Sequence, residues 1–210
     1  TVNDGDNANA VTAATYVDAF DISSQEFSPQ GFTFSNDGTK MFLTGNNGDD
    51  VNEYTLSTGF DVSTASFVDS FDISSQEEGP RDLAFSADGT KMFVVGVLGD
   101  DVNEYSLSTA FDVSTSSFVD SFDISSQEVS PTGLAFNNDG TKMFIAGNGG
   151  DDINEYTLST GFDVSTASFV DSFDVSSQDT APNGLTFNSD GTKMYVVGNQ
   201  GNDINEYDLT

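Results

Sequence analysis

The chain repeats itself with a period of 51 residues, and this period constrains its fold more than any other feature. Copies of one segment start at Tyr16, Phe67, Phe118 and Phe169. A period near 50 residues with almost no insertions is typical of propellers and solenoids, in which each unit buries its faces on its neighbours. We therefore divide the sequence into a leader, residues 1–15, and a repeat array, residues 16–210.

Each repeat contains four stretches in which apolar and polar residues alternate, as they do in half-buried antiparallel strands. In the first unit these stretches are Gly31–Ser35, Lys40–Gly45, Asp50–Leu56 and Phe67–Ile73. A tight turn at Asn36–Thr39 joins the first two, because its glycine accepts a positive φ. No stretch shows a helical period of useful length. The sequence predicts an all-β propeller of four four-stranded antiparallel blades.

The hairpin motif carries a resemblance to a known group of proteins. The succession of Asn-Asp-Gly-Thr-Lys, Met-Phe-Val-Val-Gly and Asp-Val-Asn-Glu-Tyr-Ser-Leu-Ser-Thr resembles the YVTN-type and WD40-like bacterial β-propeller repeats. The resemblance covers residues 16–210 and implies that the hairpin forms the inner two strands of each blade. It implies a fold and not a function, because such propellers serve many roles.

The fourth repeat stops after its third strand, whereas Tyr16–Ile22 supplies a fourth strand with no preceding three. We expect this segment to close the last blade, because open sheet edges invite pairing with other chains. If it returns within the chain, the product is a four-bladed ring. If two chains exchange it, the product is an eight-bladed dimer, and head-to-tail exchange among many chains gives a filament. Tyr16–Ile22 is thus also the expected route of self-association.

The charge and the residue types that the chain lacks exclude several classes of function. The chain has 35 acidic and 5 basic side chains, a net charge of −30, and neither Cys nor His. Nucleic acids and anionic membranes are excluded as partners by this charge. Cysteine-ligated metals, thiolate nucleophiles and histidine bases are excluded by composition. No apolar stretch is long enough to insert into a membrane, and the acidic composition suggests an extracellular or surface-associated protein.

An acidic turn recurs between the second and third strands, and calcium is the cofactor that it suggests. Ca²⁺ prefers several carboxylate and carbonyl oxygens in a turn. The candidate ligands are Asp49, Asp50, Asp100, Asp101, Asp151, Asp152 and Asp203. A solvated hairpin turn explains the same residues, since Asp and Gly favour turns.

One lysine and one mid-strand glutamate recur in every repeat. The turn spacing places Glu53 opposite Phe42 and diagonal to Lys40, which favours a structural ion pair across the hairpin. The predicted pairs are Lys40 with Glu53, Lys91 with Glu104, Lys142 with Glu155, and Lys193 with Glu206.

The four copies differ mainly in two loops, which a propeller places on the same face. In the second copy these loops contain Glu78, Arg81, Val97 and Leu98, including the chain's single arginine. These four residues are the candidate ligand-binding site, although loops also drift without function.

No catalytic motif was found: the sequence has neither a Gly-x-Ser-x-Gly elbow nor a P-loop. Near-identical copies favour avidity or scaffolding over one asymmetric active site. The sequence therefore predicts a non-enzymatic extracellular binding or scaffold module. The alternatives are a repeat lectin that binds glycans on the variable loops and a structural subunit that assembles by strand exchange.

Overall fold

The structure is a computed structural model that describes residues 15–201 and 203–209. Every strand begins or ends at a turn of the repeat. The strands are β1 (Pro29–Phe34), β2 (Lys40–Gly45), β3 (Asp50–Leu56), β4 (Ala65–Asp72), β5 (Pro80–Phe85), β6 (Lys91–Gly96), β7 (Asp101–Leu107), β8 (Ser116–Asp123), β9 (Pro131–Phe136), β10 (Lys142–Gly147), β11 (Asp152–Leu158), β12 (Ala167–Asp174), β13 (Pro182–Phe187), β14 (Lys193–Gly198) and β15 (Ile204–Asp208). The described residues contain no helix whose length and apolarity would let it cross a membrane.

Consecutive strands pair antiparallel and form four sheets, which we call blades 1 to 4. This confirms the predicted all-β propeller architecture with one blade per repeat. The register places Phe42 opposite Glu53, as the turn spacing predicts. A short 3-10 helix precedes the outer strand of each of the first three blades, at Val62–Thr64, Val113–Thr115 and Val164–Thr166. These helices occupy the longer loop that the sequence places between the third and fourth strands.

Two strand boundaries differ from the prediction. The inner strand begins at Pro29 rather than after it, because its position opposite Gly45 at the strand end does not need an N–H donor. The outer strand is Ala65–Asp72 rather than Phe67–Ile73. Leu56 pairs with Ala65, so the ladder starts directly after the 3-10 helix.

The closure of the last blade also differs from the prediction. Blade 4 has three described strands, and Tyr16–Ile22 forms no strand and does not pair with β15. Instead Phe20 and Ile22 pack on the core of blade 1. The rings of Phe20 and Tyr54 pack edge to face with their centroids 5.7 Å apart. Phe71 of blade 1 packs on Tyr105 of blade 2 in the same way, with a centroid distance of 5.6 Å. The segment thus occupies the position of a preceding blade's outer strand.

The blades form an open arc because their spacing is fixed by close packing of the inner strands. β1 lies beside β5, β5 beside β9, and β9 beside β13, but β13 and β1 are not neighbours in this way. A Cβ atom on Gly31 would lie 2.6 Å from the Cα of Asp82, and one on Gly133 would lie 3.0 Å from the Cα of Gly184. A Cβ atom on Gly184 would lie near only one side chain among the described residues, that of Val197 in its own blade. The curvature therefore does not bring blade 4 back to blade 1.

An ion pair on one blade anchors a loop of the next. Lys91 Nζ donates to Glu104 Oε1 at 2.7 Å and to the carbonyl of Phe162 at 2.6 Å. The second oxygen of Glu104 accepts from the N–H of Val164 at 2.9 Å. Glu104 is 2% exposed, so its charge is compensated by the lysine and by one backbone N–H rather than by water. Lys40 and Glu53 of blade 1 hold Phe111 and Val113 of blade 2 in the same way.

Phenylalanine rings fill the interface next to each ion pair. The ring centroid of Phe42 lies 4.4 Å from that of Phe85 and 6.2 Å from that of Phe111. The next interface repeats this arrangement with Phe93, Phe136 and Phe162. Such aromatic groups contribute both apolar burial and favourable edge contacts. Between blades 3 and 4, Phe144 and Phe187 pair at 4.5 Å beside a cavity of about 1170 Å³. Among the described residues, no third ring packs at this interface.

We predict that Lys91→Met destabilises the chain far more than Lys193→Met. Lys91 neutralises a buried carboxylate but is itself 31% exposed, so its removal should lower the free energy of unfolding by about 3 kcal/mol, the lower end of the range for breaking a buried pair. The pair of Lys193 with Glu206 lies on the exposed side of blade 4, where an ion pair contributes less than about 1 kcal/mol. Urea unfolding of both variants checks this, and equal losses would contradict the proposed anchoring role.

Candidate functional site

The inner strands of the four blades share one groove on the inner side of the arc. Its volume is about 850 Å³, and blades 1 to 4 all contribute lining residues. Its aromatic and aliphatic walls come from residues such as Phe32, Leu83 and Leu185. Polar lining residues are Thr33, Asn36, Asp82, Asn137, Asn138 and Thr186. The groove is thus mainly uncharged, and Asp82 is its one titratable lining residue in the described part of the chain.

Asp82 breaks the repeat. The other three copies have glycine at this position, in Gly31, Gly133 and Gly184. Its Oδ1 accepts from the N–H of Leu83 at 2.8 Å, and its Oδ2 accepts from the N–H of Leu134 in blade 3 at 2.9 Å. The side chain therefore bridges two inner strands and is held in a fixed orientation at the groove.

Burial changes the acidity of this carboxyl group. Desolvation among the inner strands raises the pKa of Asp82 to about 6, although its two backbone hydrogen bonds oppose the shift. A carboxyl group with a pKa near the working pH can both accept and release a proton. A perturbed titratable group in a groove is a marker of a functional site.

Sequence reasoning missed Asp82. The comparison of the copies located the change in the loop that ends at Arg81, one residue short of the strand position that matters. The signal was present, because Asp82 is a charged residue at a position where the other copies have glycine. An inner-strand substitution of this kind cannot be explained by loop drift.

The four residues predicted to bind a ligand are only partly brought together. Val97 and Leu98 lie against Gly79, the neighbour of Glu78. Arg81 instead donates to the side chain of Gln30 in blade 1 at 3.2 Å, and it forms no ion pair with the described residues. None of the four lines the inner groove. Their role in binding stays a prediction.

A buried carboxylate organises the loops around each inner strand. Glu77 is 1% exposed, and its Oε1 accepts from the N–H groups of Gly79 and Leu98 at 2.6 and 3.2 Å. It thereby ties the loop before β5 to the turn after β6. A Cβ atom on Gly96 would lie 2.2 Å from this carboxyl group, so only glycine fits there. Glu26, Glu128 and Asp179 make equivalent contacts in the other blades.

The aspartates predicted to bind calcium lie at the turns and strand starts where the sequence places them. Asp49, Asp100 and Asp151 have positive φ angles of 48°, 47° and 54°, as turn residues do. Asp50 accepts from the side-chain amide of Asn52 at 2.7 Å, and burial raises its pKa. Among residues 15–201 and 203–209, no group of three or more acidic side chains could hold a metal ion. Calcium binding stays a prediction.

The ion pairs form in all four blades but differ in burial. Lys40–Glu53 and Lys91–Glu104 have glutamates that are 2% exposed, whereas Glu155 is 31% exposed. Lys193 contacts both Glu206 and Asp208 on the uncovered side of blade 4. The glutamate is buried where a loop of the next blade covers the ion pair, and it is exposed where no described loop does.

This fold and groove define a β-propeller protein whose inner strands line a candidate active site. The family model described as "Lactonase, 7-bladed beta-propeller" matches residues 32–209. The chain belongs to this lactonase family. No curated protein matches the sequence.

Solved structures share the fold at low identity. A candidate 6-phosphogluconolactonase from Bacteroides uniformis matches with a TM-score of 0.63 and 16% identity, over 87% of this chain and 50% of that one. The periplasmic gluconolactonase of Pseudomonas aeruginosa matches with a TM-score of 0.57 and 19% identity, over 87% and 50%. Hydrazine synthase from Kuenenia stuttgartiensis matches with a TM-score of 0.61 and 16% identity, over 92% and 49%. The chain therefore spans about half the length of the structures that it matches.

Family membership corrects the functional prediction. The sequence predicts a non-enzymatic binding or scaffold module, with a lectin or structural subunit as alternatives. This prediction is wrong, because the chain belongs to a lactonase family. The prediction relied on the near identity of the copies. Asp82 shows why this argument failed: one substitution makes a four-fold repeated groove chemically asymmetric.

We predict that Asp82→Gly removes a pH-dependent destabilisation. Asp82 titrates at about 6 in the folded chain and near 3.8 when unperturbed, so the folded state retains the proton between these values. Wild-type stability should therefore fall as the pH rises through this window. Relative to wild type, the free energy of unfolding of Asp82→Gly should therefore be about 3 kcal/mol higher above this window than below it. Urea unfolding of wild type and Asp82→Gly is measured at one pH below 3.8 and one pH above 6. A difference in stability between the two chains that does not change with pH would contradict the raised pKa of Asp82.

Proposed function

We propose that the chain forms part of a lactonase that hydrolyses the ring ester of sugar-derived lactones in the inner groove. The observation that carries the proposal is the family match over residues 32–209. The groove supports it with a single carboxyl group among uncharged polar and apolar residues.

Asp82 is the group best suited to act as the base. In the proposed reaction, a water oxygen bonds to the lactone carbonyl carbon, and Asp82 accepts the proton that the water loses. The ring C–O bond then breaks, and the proton passes to the departing ring oxygen. The product is an open-chain hydroxy acid. Near neutral pH a carboxyl group of pKa about 6 is largely ionised and therefore ready to accept the proton.

The lining of the groove favours an uncharged, polyhydroxylated substrate. The amide nitrogens of Asn36 and Asn138 already donate to the carbonyls of Ala87 and Ser189, which leaves their amide oxygens as acceptors. Together with the hydroxyl groups of Thr33 and Thr186, these oxygens can hydrogen-bond to sugar hydroxyls. No lysine or arginine lines the groove among the described residues, and the chain has a net charge of −30. An anionic substrate such as a phosphorylated lactone would be repelled. We therefore propose a neutral lactone.

The extent of the match limits what the chain does alone. It spans about half of the structures named above, so the activity of a whole ring is itself a proposal. The finer resemblance to YVTN-type and WD40-like repeats and the extracellular or surface location also stay predictions.

We predict that the chain hydrolyses glucono-δ-lactone and that Asp82→Asn lowers the rate by at least about 100-fold, the usual contribution of a general base. The wild-type rate should rise with pH and level off above about 6, as Asp82 ionises. Hydrolysis is followed by acid release in a pH-stat and corrected for the spontaneous rate.

Asp69→Asn is the matched control. Asp69 is exposed on the outer strand of blade 1, and its replacement removes the same charge away from the groove. It should leave the rate unchanged. A wild-type rate equal to the spontaneous rate would contradict the proposed function, and equal rates in wild type and Asp82→Asn would contradict the assigned base.

A further inference from the structure

The turn between the second and third strands of each blade is bound by a buried carboxylate. In blade 3 the carboxylate of Glu128 accepts from two consecutive N–H groups of this turn, those of Gly149 and Gly150, at 2.8 and 3.4 Å. Glu77 and Asp179 bind the same two N–H groups in blades 2 and 4. Blades 2 to 4 therefore hold the backbone of this turn in one way.

Blade 1 departs from this arrangement. Its buried carboxylate, Glu26, accepts from the first of the two N–H groups, that of Asn47, at 3.1 Å. The second, the N–H of Gly48, has no acceptor among the described residues. Asn47 and Gly48 are both exposed. The backbone nitrogen of Gly48 is therefore open to water and is not restrained by a hydrogen bond.

The residue before this nitrogen is an asparagine, and the pair Asn-Gly is chemically reactive. The nitrogen of the glycine can bond to the side-chain carbonyl carbon of the asparagine, because glycine has no Cβ atom to obstruct the approach. The nitrogen must lose its proton in this step. A hydrogen bond to a carboxylate holds both the proton and the nitrogen in place, so it opposes the reaction.

We propose that Asn47 is a site of spontaneous deamidation. The backbone nitrogen of Gly48 bonds to the side-chain carbonyl carbon of Asn47 and gives up its proton. The bond from that carbon to the side-chain nitrogen breaks, and ammonia leaves with the proton. Water then opens the resulting succinimide ring at either of its carbonyls. The product has aspartate or isoaspartate at position 47, and water is the only co-reactant.

The other Asn-Gly pairs of the described chain are restrained. Asn148 precedes Gly149, whose N–H donates to the buried carboxylate of blade 3. Asn183 precedes Gly184, which pairs with Val197 in the ladder of β13 and β14. A paired strand resists the backbone rotation that ring closure needs. Asn47 is thus set apart from the other two by its surroundings rather than by its sequence.

Asp-Gly pairs form the same ring with loss of water, and the chain has one in each hairpin turn between the first two strands. In all four blades the glycine N–H donates to a backbone carbonyl at the start of that turn. These glycines are Gly38, Gly89, Gly140 and Gly191. The turn hydrogen bond therefore restrains the attacking nitrogen at each of these pairs.

The reaction changes the turn in which it occurs. It places a negative charge at the residue whose N–H is bound by Glu26, and Glu26 is fully buried. Isoaspartate also lengthens the main chain by one carbon atom between Asn47 and Gly48. Both changes weaken the contact between the loop before β1 and the turn after β2. Deamidation thus loosens blade 1 as the protein ages.

Mass spectrometry of the aged chain tests this site. The wild-type chain is incubated in mildly alkaline buffer and digested, and fragmentation of the peptides reports aspartate and isoaspartate at each asparagine. Asn148 is the matched control, because it is also exposed and also precedes glycine. Asn47 should react at least about tenfold faster than Asn148, the factor that corresponds to a hydrogen bond to a charged group. In concentrated urea the two rates should become similar.

Two results of this experiment would overturn the proposal. One is a folded chain in which Asn47 reacts no faster than Asn148. The other is a ratio of the two rates that urea leaves unchanged, because the difference would then come from the neighbouring sequence and not from the folded turn.

Asn47→Gln tests the effect on blade 1. Blade 4 has Gln200 at this position, so the folded turn accommodates glutamine, and its longer side chain closes a ring much more slowly. After equal incubation the wild-type chain should unfold at a lower urea concentration than when fresh, whereas Asn47→Gln should keep its fresh midpoint. An equal loss in both chains would overturn the proposed loosening of the turn.

Discussion

The structure depends on one interaction: the lysine–glutamate pair of one blade that anchors the loop of the next. A single blade cannot cover its own faces, since the apolar residues of its sheet need a neighbour. The ion pair fixes how one blade is oriented on the next, because it binds backbone groups of that blade. Glu104 is buried by blade 3, and its two oxygens are satisfied by Lys91 and by Val164 of that blade. Removing the neighbour would leave a charge pair facing water and exposed apolar residues, as at blade 4, where Val197 and Ile204 are exposed.

The same interface fixes the curvature and hence the place of the candidate site. Gly31 and Gly133 let the inner strands approach closely, and Asp82 bridges from β5 to the N–H of Leu134. The groove is therefore a consequence of how the blades stack, and its chemistry comes from one residue that departs from the repeat. In the proposed enzyme the repeated inner-strand residues form the walls of the groove, and Asp82 supplies the base.

The sequence predicts most of the fold because its signals are local. Alternation and turn glycines specify the four strands of each blade, and the turn length specifies the pairing of Phe42 with Glu53. The position of Tyr16–Ile22 was not predictable in this way. The same residues can complete the sheet of one blade or pack on the core of the next, and the curvature of the whole arc decides between these contacts. Asp82 was missed for another reason: its acidity depends on burial among strands that are distant in sequence.

The most direct test of the anchoring interaction compares three equivalent amide protons in one chain. Hydrogen exchange at Val62, Val113 and Val164 is measured by NMR in the wild-type chain. Val113 and Val164 donate to buried glutamates of the preceding blade, whereas Val62 has no such acceptor among the described residues. The account predicts strong protection at Val113 and Val164 and fast exchange at Val62. Equal protection at all three sites would contradict it.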